Sequence, residues 1–249
     1  MTKQNDVLEA INYHFVSVGP KLASSIKTRP DDNCLQHITP VNNELLLRTI
    51  ERQCVVNAIN QLKNGKASGL DKVTLTLVKD ACEFIAEQLS LIYNSSFESS
   101  IFPDIWKLAR VTPIYKSGSK TDLNNYRPIS VISVFSKMLE RLAHDQLFEF
   151  LKANDSIACN QAAFQKLHST VTSLISSTDY WYENIDRSNV NLAIFLDLRK
   201  AFDTVDHDIL IRKMHSYGIR GKAGIGLIPT EVIRLKYTIS FFRQFFLLS

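Results

Sequence analysis

One carboxylate at the end of an apolar run is the residue in this sequence best placed to do chemistry. The run covers residues 192–196 and ends on Asp197. A carboxylate that ends a buried strand is costly unless it is paired, protonated or bound to a cation. Aspartate oxygens suit Mg²⁺, and two such ions can activate an attacking hydroxyl and stabilise the leaving oxygen of a phosphoryl transfer. The alternative is that Asp197 only caps the following turn.

Three further acids follow closely, Asp203, Asp206 and Asp208. Short acidic side chains are favoured in turns and at helix N-caps, so we interpret these three as structural. His207 could ligate a metal, but a single histidine at a helix start is more often polar surface. We predict that a helix begins near residues 206–208 and ends at Gly218.

A group of basic residues is the second chemical feature. Two strand-like runs, 109–116 and 126–132, flank a Ser/Gly turn and predict a long β-hairpin. It carries Arg110, Lys116, Lys120 and Arg127 with few acids nearby. Such a grouping suits a triphosphate or a nucleic-acid backbone. The alternative is an ordinary edge hairpin, on which lysine discourages aggregation.

A basic loop at residues 63–72 precedes this hairpin. It holds Lys63, Lys66 and Lys72 together with two glycines around Asp71. The loop could contact phosphates, although its residues by themselves favour a solvated turn.

Hydrophobic spacing predicts the elements that must position these residues. We expect helices near residues 7–18, 44–62, 78–92 and 138–151, with loop signals at Gly19-Pro20 between the first two. A further helix is capped by Ser169 or Thr170, and its aromatic residues are interpreted as core. The run at 190–197 is apolar on both faces, which predicts a central, covered strand. The predicted class is therefore α+β, helix-rich with a small antiparallel sheet.

Bulk properties place mild limits on function. The chain has 249 residues, 45% of them hydrophobic, and a net charge of +4, which permits a nucleic-acid partner without requiring one. Its four cysteines form no CxxC pair and read as reduced. The N-terminus has no secretory signal, and no uncharged apolar run approaches the ~18 residues of a membrane span. We predict an intracellular protein, in cytoplasm or nucleus, without a membrane partner.

Five ordered blocks carry a family resemblance. They are NGKASGLDKV (64–73), the block from Trp106 to Leu142, NQAAFQKLHST (160–170), FLDLRKAFDTVDHDIL (195–210) and YGIRG (217–221). The sequence resembles the reverse transcriptases of non-LTR (LINE-type) retrotransposons, particularly the jockey/CR1-like group, from about residue 10 to 221. The resemblance implies the fingers and a partial palm of a right-hand polymerase.

The resemblance also implies roles for single residues. Asp197 corresponds to the first metal-binding aspartate of the palm, and Phe202 to the aromatic that screens out the 2′-hydroxyl of ribonucleotides. Lys116 and Arg127, with Arg110 nearby, correspond to fingers residues that hold the incoming triphosphate. The implied cofactor is Mg²⁺, and the implied partners are an RNA template, a DNA primer and dNTP. Nucleic-acid contacts are predicted for four lysines, Lys63, Lys66, Lys72 and Lys166.

The departures from the family pattern lead to a second prediction. Ala162, Gln165 and Leu167 replace a tight-turn residue, a cation and a glycine, which weakens the case for template contacts there. Beyond Gly221 we expect the resemblance to stop, and the family's paired aspartates do not occur. The only acid in residues 222–249 is Glu231. We therefore predict a truncated polymerase that does not polymerise alone.

This reading divides the chain into four parts. Residues 1–43 form a connector, 44–189 a fingers-like region with the start of the palm, 190–221 a palm strand, turn and helix, and 222–249 a non-homologous tail. An unfinished palm sheet would leave apolar faces exposed and prone to aggregation. Two alternatives remain open: a remnant that binds RNA without chemistry, and the product of a degenerate element.

Overall fold

The computed structural model describes residues 2–25, 35–36, 38–158, 160–163, 165, 167–197 and 205–221. Within these ranges the chain is helix-rich and contains one antiparallel β-hairpin, as predicted. The helices are α1 (Thr2–Ser25), α2 (Arg52–Gln61), α3 (Leu75–Asp80), α4 (Cys82–Ser99), α5 (Asp104–Lys107), α6 (Val134–Ala153), α7 (Thr170–Asp186) and α8 (His207–Ser216). The strands are β1 (Ala109–Tyr115) and β2 (Tyr126–Ile132). None of the described helices is both long and apolar enough to cross a membrane.

Short polar side chains begin the helices at the positions that the sequence predicts. The Ser169 hydroxyl accepts a hydrogen bond from the Thr172 amide at 3.1 Å, and the Thr172 hydroxyl accepts one from the Ser169 amide at 2.9 Å. These two bonds form a capping box at the start of α7. At the start of α8, the Asp206 carboxylate accepts from the amides of Asp208 and Ile209, both at 3.0 Å. The predicted helix start near residues 206–208 is therefore confirmed.

Two hydrophobic cores share helix α6. The first core joins the N-terminal half of α6 to α2, α3 and α4, and its fully buried side chains include Ile59, Tyr93 and Met138. The second core joins the C-terminal half of α6 to α8 and the segment 41–45, through Leu147, Leu151 and Met214 among others. We refer to residues 38–158 and 205–221 as the packed body.

A glycine closes the second core. Gly218 has φ +83°, and a Cβ placed there would overlap the backbone carbonyl of Asn43. The close approach is held by backbone bonds from Val41 N to Ser216 O at 2.8 Å and from Leu45 N to Gly218 O at 2.9 Å. The Arg220 guanidinium adds a bond to the Val41 carbonyl at 2.8 Å. The block 217–221 therefore ends α8, as predicted, and also ties it to segment 41–45.

Three predicted element boundaries are wrong. Residues 44–50 are not helical. Their backbone amides bond to side chains instead of to helical carbonyls: Arg48 N donates to Gln146 Oε1 at 2.6 Å, and Ile50 N donates to Asn94 Oδ1 at 2.7 Å. The helix predicted over 78–92 is divided at Ala81, where ψ is 0° and the backbone leaves the helical region. Helix α1 continues through Pro20 rather than ending in a loop, although an interior proline removes a helical donor and crowds the preceding turn.

The largest correction concerns residues 169–197, which we call the α7 arm. Helix α7 contains no buried residue, and Leu174 and Tyr182 are 62% and 67% exposed. Residues 190–197 form no strand, and the predicted strand core residues Leu192 and Ile194 are 87% and 75% exposed. The predictions of a covered strand and of core aromatics in α7 are both wrong. A strand needs a neighbour to satisfy its backbone, and in the described chain this segment pairs with none.

Candidate functional site

The strand register gathers the hairpin cations onto one face. Arg110 lies opposite Val131, and Ile114 lies opposite Arg127. Residues directly opposite each other, and residues two apart along one strand, point to the same side of a sheet. Arg110 and Arg127 therefore share a face. Lys116 lies on the same face. The Lys116 amide donates to the Asn125 carbonyl at 2.8 Å, so the pairing of the two strands extends to this residue.

The same register separates these cations along the hairpin. Lys116 and Arg127 lie together at the tip, whereas Arg110 lies at the base. Lys116 lies six positions after Arg110 along the strand. At a rise of about 3.3 Å per residue, their Cα atoms are roughly 20 Å apart. The sequence predicted that these three side chains form one nucleotide site. In the structure they share a face, but Lys116 and Arg127 lie at the tip and Arg110 lies at the base.

The tip loop is braced, so its cations are held in place. The Tyr126 hydroxyl donates to the Lys120 carbonyl at 2.9 Å, and the Asn125 amide side chain donates to the Ser119 carbonyl at 3.0 Å. The Lys120 ammonium lies over the Tyr115 ring, 5.9 Å from its centroid. Lys116 and Arg127 are exposed and form no ion pair within the described ranges. The tip can therefore accept an anionic ligand without breaking an internal pair.

The loop 63–72 packs against the base of the hairpin. A Cβ at Gly69 would lie 2.8 Å from the Ser133 amide nitrogen, so only glycine allows this contact between two backbones. Arg110 Nη2 donates to the Ser68 carbonyl at 3.3 Å. These contacts bring the loop against the start of α6, where the charge of Lys66 acts on Lys137. The exposed Lys63 and Lys72 lie at the two ends of the same loop.

Two titratable residues in the N-terminal half of α6, Lys137 and Glu140, were not predicted as site residues. Burial lowers the pKa of Lys137; Glu140 and Asp71 oppose the shift, and Lys66 adds to it. Burial also raises the pKa of Glu140 to about 7, although a 3.4 Å hydrogen bond from Ser136 and the charge of Lys137 oppose the rise. A sequence signal existed, because both residues are charged within the otherwise apolar start of α6.

The acidic part of the predicted site is less complete. Asp197 is exposed at the end of the α7 arm. In the described part of the chain, no three His, Cys, Asp or Glu residues come together as a possible metal site. Asp197 is the one predicted metal ligand among the described residues, and a single carboxylate does not fit a site for two ions. Phe202, Asp203 and Lys166 lie outside the described residues.

The departure at Leu167 has a geometric consequence. Leu167 has φ +67° and is fully exposed. This left-handed region favours glycine and costs other L-residues roughly 1–2 kcal/mol. A leucine therefore occupies a backbone position that suits the glycine expected there from the resemblance.

Comparison with known proteins identifies related sequences. A family profile described as "Reverse transcriptase (RNA-dependent DNA polymerase)" matches residues 114–244, just over half of the chain. The "Probable RNA-directed DNA polymerase from transposon BS" of Drosophila melanogaster is 33% identical over 177 residues, which is 71% of this chain and 20% of that protein. The "RNA-directed DNA polymerase from mobile element jockey" is 32% identical in Drosophila melanogaster and 30% in Drosophila funebris, over 70% and 72% of this chain and 19% and 20% of those proteins.

The extent of these matches bears on the predicted boundaries. The chain spans about a fifth of the length of the curated relatives that it matches. The family match includes the hairpin from Ile114 onward and continues past residue 221 to residue 244. The predicted boundary at residue 221 and the other domain limits remain predictions.

Proposed function

This chain belongs to the reverse transcriptase family and is related to the enzymes of jockey- and BS-type non-LTR retrotransposons, and from that premise we propose that it forms the nucleotide-binding part of an RNA-directed DNA polymerase. The observation that carries the proposal is the position of Lys116 and Arg127 on one exposed face at a braced hairpin tip. Two cations there suit the phosphates of an incoming dNTP, because hydrogen bonds between a cation and a phosphate are stronger than hydrogen bonds between neutral groups.

The other substrates follow from the same premise. The relatives are named as RNA-directed DNA polymerases, which use an RNA template and extend a DNA primer. We assign fingers-like roles to the hairpin and to the loop 63–72, and a palm-like role to the segment that ends on Asp197. The lysines Lys63, Lys66 and Lys72 are assigned to the nucleic-acid backbone.

Asp197 is assigned as a metal-binding carboxylate and Phe202 as the residue that excludes ribonucleotides. Reverse transcriptases use divalent metal ions, and Mg²⁺ bound to carboxylates and substrate phosphates supplies the charge stabilisation that phosphoryl transfer needs. Since the only acid in residues 222–249 is Glu231, the sequence contains no counterpart of the family's aspartate pair. We propose that this 249-residue polypeptide alone does not polymerise.

Nucleotide binding tests the first part of the proposal. Titration calorimetry with dATP should give binding to the purified chain, weakened at least tenfold in the double variant Lys116→Gln/Arg127→Gln. The matched control is Lys152→Gln, which removes an exposed lysine from the far end of α6. Equal affinity in the double variant and the control would contradict the assignment of the hairpin tip.

Primer extension tests the second part. With an RNA template, an annealed DNA primer, dNTP and either Mg²⁺ or Mn²⁺, we expect no template-directed product. Synthesis by the purified chain that disappears in Asp197→Ala would overturn the proposal of inactivity and would place Asp197 in a working site.

A second candidate function is an RNA-binding remnant without chemistry. The packing of loop 63–72 on the hairpin base favours it, because this packing forms a basic surface that does not involve Asp197. Salt-dependent RNA binding without dATP binding would favour this reading. The product of a degenerate element would be distinguished by the absence of the protein from cells that carry the gene.

A further inference from the structure

Lys137 is the cation in the packed body whose position is hardest to explain by stability. It lies in the first turn of α6, where its amide bonds to the Ser133 carbonyl at 3.1 Å. Its side chain is half-buried, and no hydrogen bond or ion pair joins it to another described residue. Because the side chain is only half-buried, part of it is open to solvent or to a ligand.

Burial, rather than the balance of neighbouring charges, disfavours the ammonium of Lys137. Burial is the largest cause of its lowered pKa, and the like charge of Lys66 adds to the effect. Glu140 compensates the charge of Lys137 only in part. Burial raises the pKa of Glu140 to about 7, so this carboxyl is only partly ionised near neutral pH. A neutral side chain of similar length would be less costly at this position. Groups held at such a cost are concentrated at functional sites.

Three elements converge on this position. Loop 63–72 supplies Lys66, strand β1 supplies Arg110, and α6 supplies Lys137. Their approach is held by the contact of Gly69 with the Ser133 backbone and by the bond from Arg110 to the Ser68 carbonyl. We call these three residues the basal cations. Of these, Arg110 lies roughly 20 Å along the hairpin from Lys116, at about 3.3 Å per residue.

We propose that Lys137 is a phosphate-binding residue that, with Lys66 and Arg110, holds backbone phosphates of the bound nucleic-acid strand. This inference rests on the proposed function, because it assumes that the hairpin faces a polynucleotide. A dNTP held at the hairpin tip is too far away to place its own phosphates on the basal cations. A strand that passes the tip and continues along the same face has phosphates at the required distance, and these phosphates add negative charge to that of Glu140 and Asp71 beside Lys137.

The test is the salt dependence of RNA binding. A fluorescein-labelled single-stranded RNA is titrated with the purified 249-residue chain at several KCl concentrations, and affinity is read by anisotropy. Each phosphate contact adds about 0.7 to the slope of log affinity against log salt for a single strand. Lys137→Gln should lower the slope by about 0.7 and weaken binding severalfold at the lowest salt. Lys137→Arg should restore both, and Lys152→Gln should match the wild type.

A second measurement separates the two sources of phosphate. Calorimetric binding of dATP should be unchanged in Lys137→Gln, while it is weakened in Lys116→Gln/Arg127→Gln. Weaker dATP binding in Lys137→Gln with an unchanged RNA slope would overturn the proposal, because it would assign Lys137 to the triphosphate.

Thermal unfolding separates binding from a structural role. The melting temperature of Lys137→Gln should equal or exceed that of the wild type, since a disfavoured charge is removed. A lower melting temperature with binding that Lys137→Arg does not restore would overturn the inference. If the wild-type chain binds neither RNA nor dATP, both the proposed function and this inference are overturned. If the wild-type chain binds RNA and Lys137→Gln has the same salt slope as the wild type, only this inference is overturned.

Discussion

Helices α6 and α7 are similar in length and in apolar spacing, yet they lie in opposite environments. Helix α6 buries seven residues along its length and serves both cores of the packed body. Helix α7 buries none, and the apolar residues that follow it at 190–196 are mostly exposed. Both helices begin with a serine cap. A serine cap and an apolar stripe thus predict a helix in both cases. They do not predict whether that helix is buried.

The difference lies in what faces each helix. Helix α6 packs against α2 and α5 in its first half and meets α8 in its second. Helix α7 forms its own capping box and a side-chain ion pair between Glu183 and Arg187 at 2.5 Å. The capping box and the ion pair are both local to this helix. Burial of its apolar side chains needs a neighbour, and the described residues provide none.

The largest expected effect comes from truncating a core residue of α6. Met138 is fully buried, so Met138→Ala should lower the free energy of unfolding by about 2–5 kcal/mol through lost burial and a new cavity. The matched change in the arm, Leu174→Ala, should alter it by less than about 0.5 kcal/mol, because Leu174 is 62% exposed. Chemical denaturation followed by circular dichroism measures both. Comparable losses in the two variants would break the comparison.

The tie between α8 and segment 41–45 should give the next largest effect. Gly218→Ala combines a left-handed φ with overlap on the Asn43 carbonyl and should cost about 2–3 kcal/mol of unfolding free energy. Gly65→Ala is the matched control, since Gly65 has φ +76° and no neighbour within 4 Å of an added Cβ. It should cost only the left-handed φ of the alanine, about 1–2 kcal/mol. An equal cost at both glycines would mean that the contact with Asn43 does not constrain the fold.

A partly buried carboxyl, that of Glu140, distinguishes the packed body from the arm by its response to pH. The folded state raises the pKa of Glu140 from 4.5 to about 7, so it binds the proton more tightly than the unfolded chain does. The resulting stabilisation is present below pH 4.5 and is lost as pH rises through 7.

Glu140→Gln should therefore be more stable than the wild type at pH 8, by on the order of 1–3 kcal/mol, and nearly equal to it at pH 4.5. The control is Glu183→Gln in α7, where an exposed i,i+4 ion pair contributes only about 0.3–0.5 kcal/mol. Denaturation curves at both pH values measure the difference. A Glu140→Gln variant whose advantage does not change with pH would show that the carboxyl is solvated.

The smallest expected effect concerns the attachment of residues 190–197 to α7. The Asn191 side chain donates to the Trp181 carbonyl at 2.9 Å and accepts from the Asn184 side chain at 2.8 Å. Asn191→Ala should change global stability by less than about 0.5 kcal/mol but speed hydrogen exchange in residues 190–197. Asn189→Ala, whose side chain is exposed, should leave both unchanged. A large global loss in Asn191→Ala would place the arm within the cooperative unit of the body.

Local features were predictable because their causes are local. The Ser169 cap, the start of α8 at Asp206 and the hairpin around residues 116–125 depend on neighbouring residues and are confirmed. The family was recognisable from five ordered blocks, and the comparisons agree. The roles of Asp197, Lys116 and Arg127 remain predictions until they are tested.

Other features depended on contacts between distant residues. The sequence pattern at 44–50 is helical, but side chains from α4 and α6 bind that backbone instead. The sequence grouped Arg110 with Lys116 and Arg127, whereas the register separates the base of the hairpin from its tip. Lys137 joined the candidate site only because Gly69 packs on the start of α6.

The sequence by itself determined the family, the helix caps and the one carboxylate available at the end of the 192–196 run, because residue types and short spacings decide these features. Only the tertiary structure decided which apolar stripes are buried and which cations lie together. Burial and charge clustering require a second surface, and which surface faces a given residue depends on how the whole chain packs.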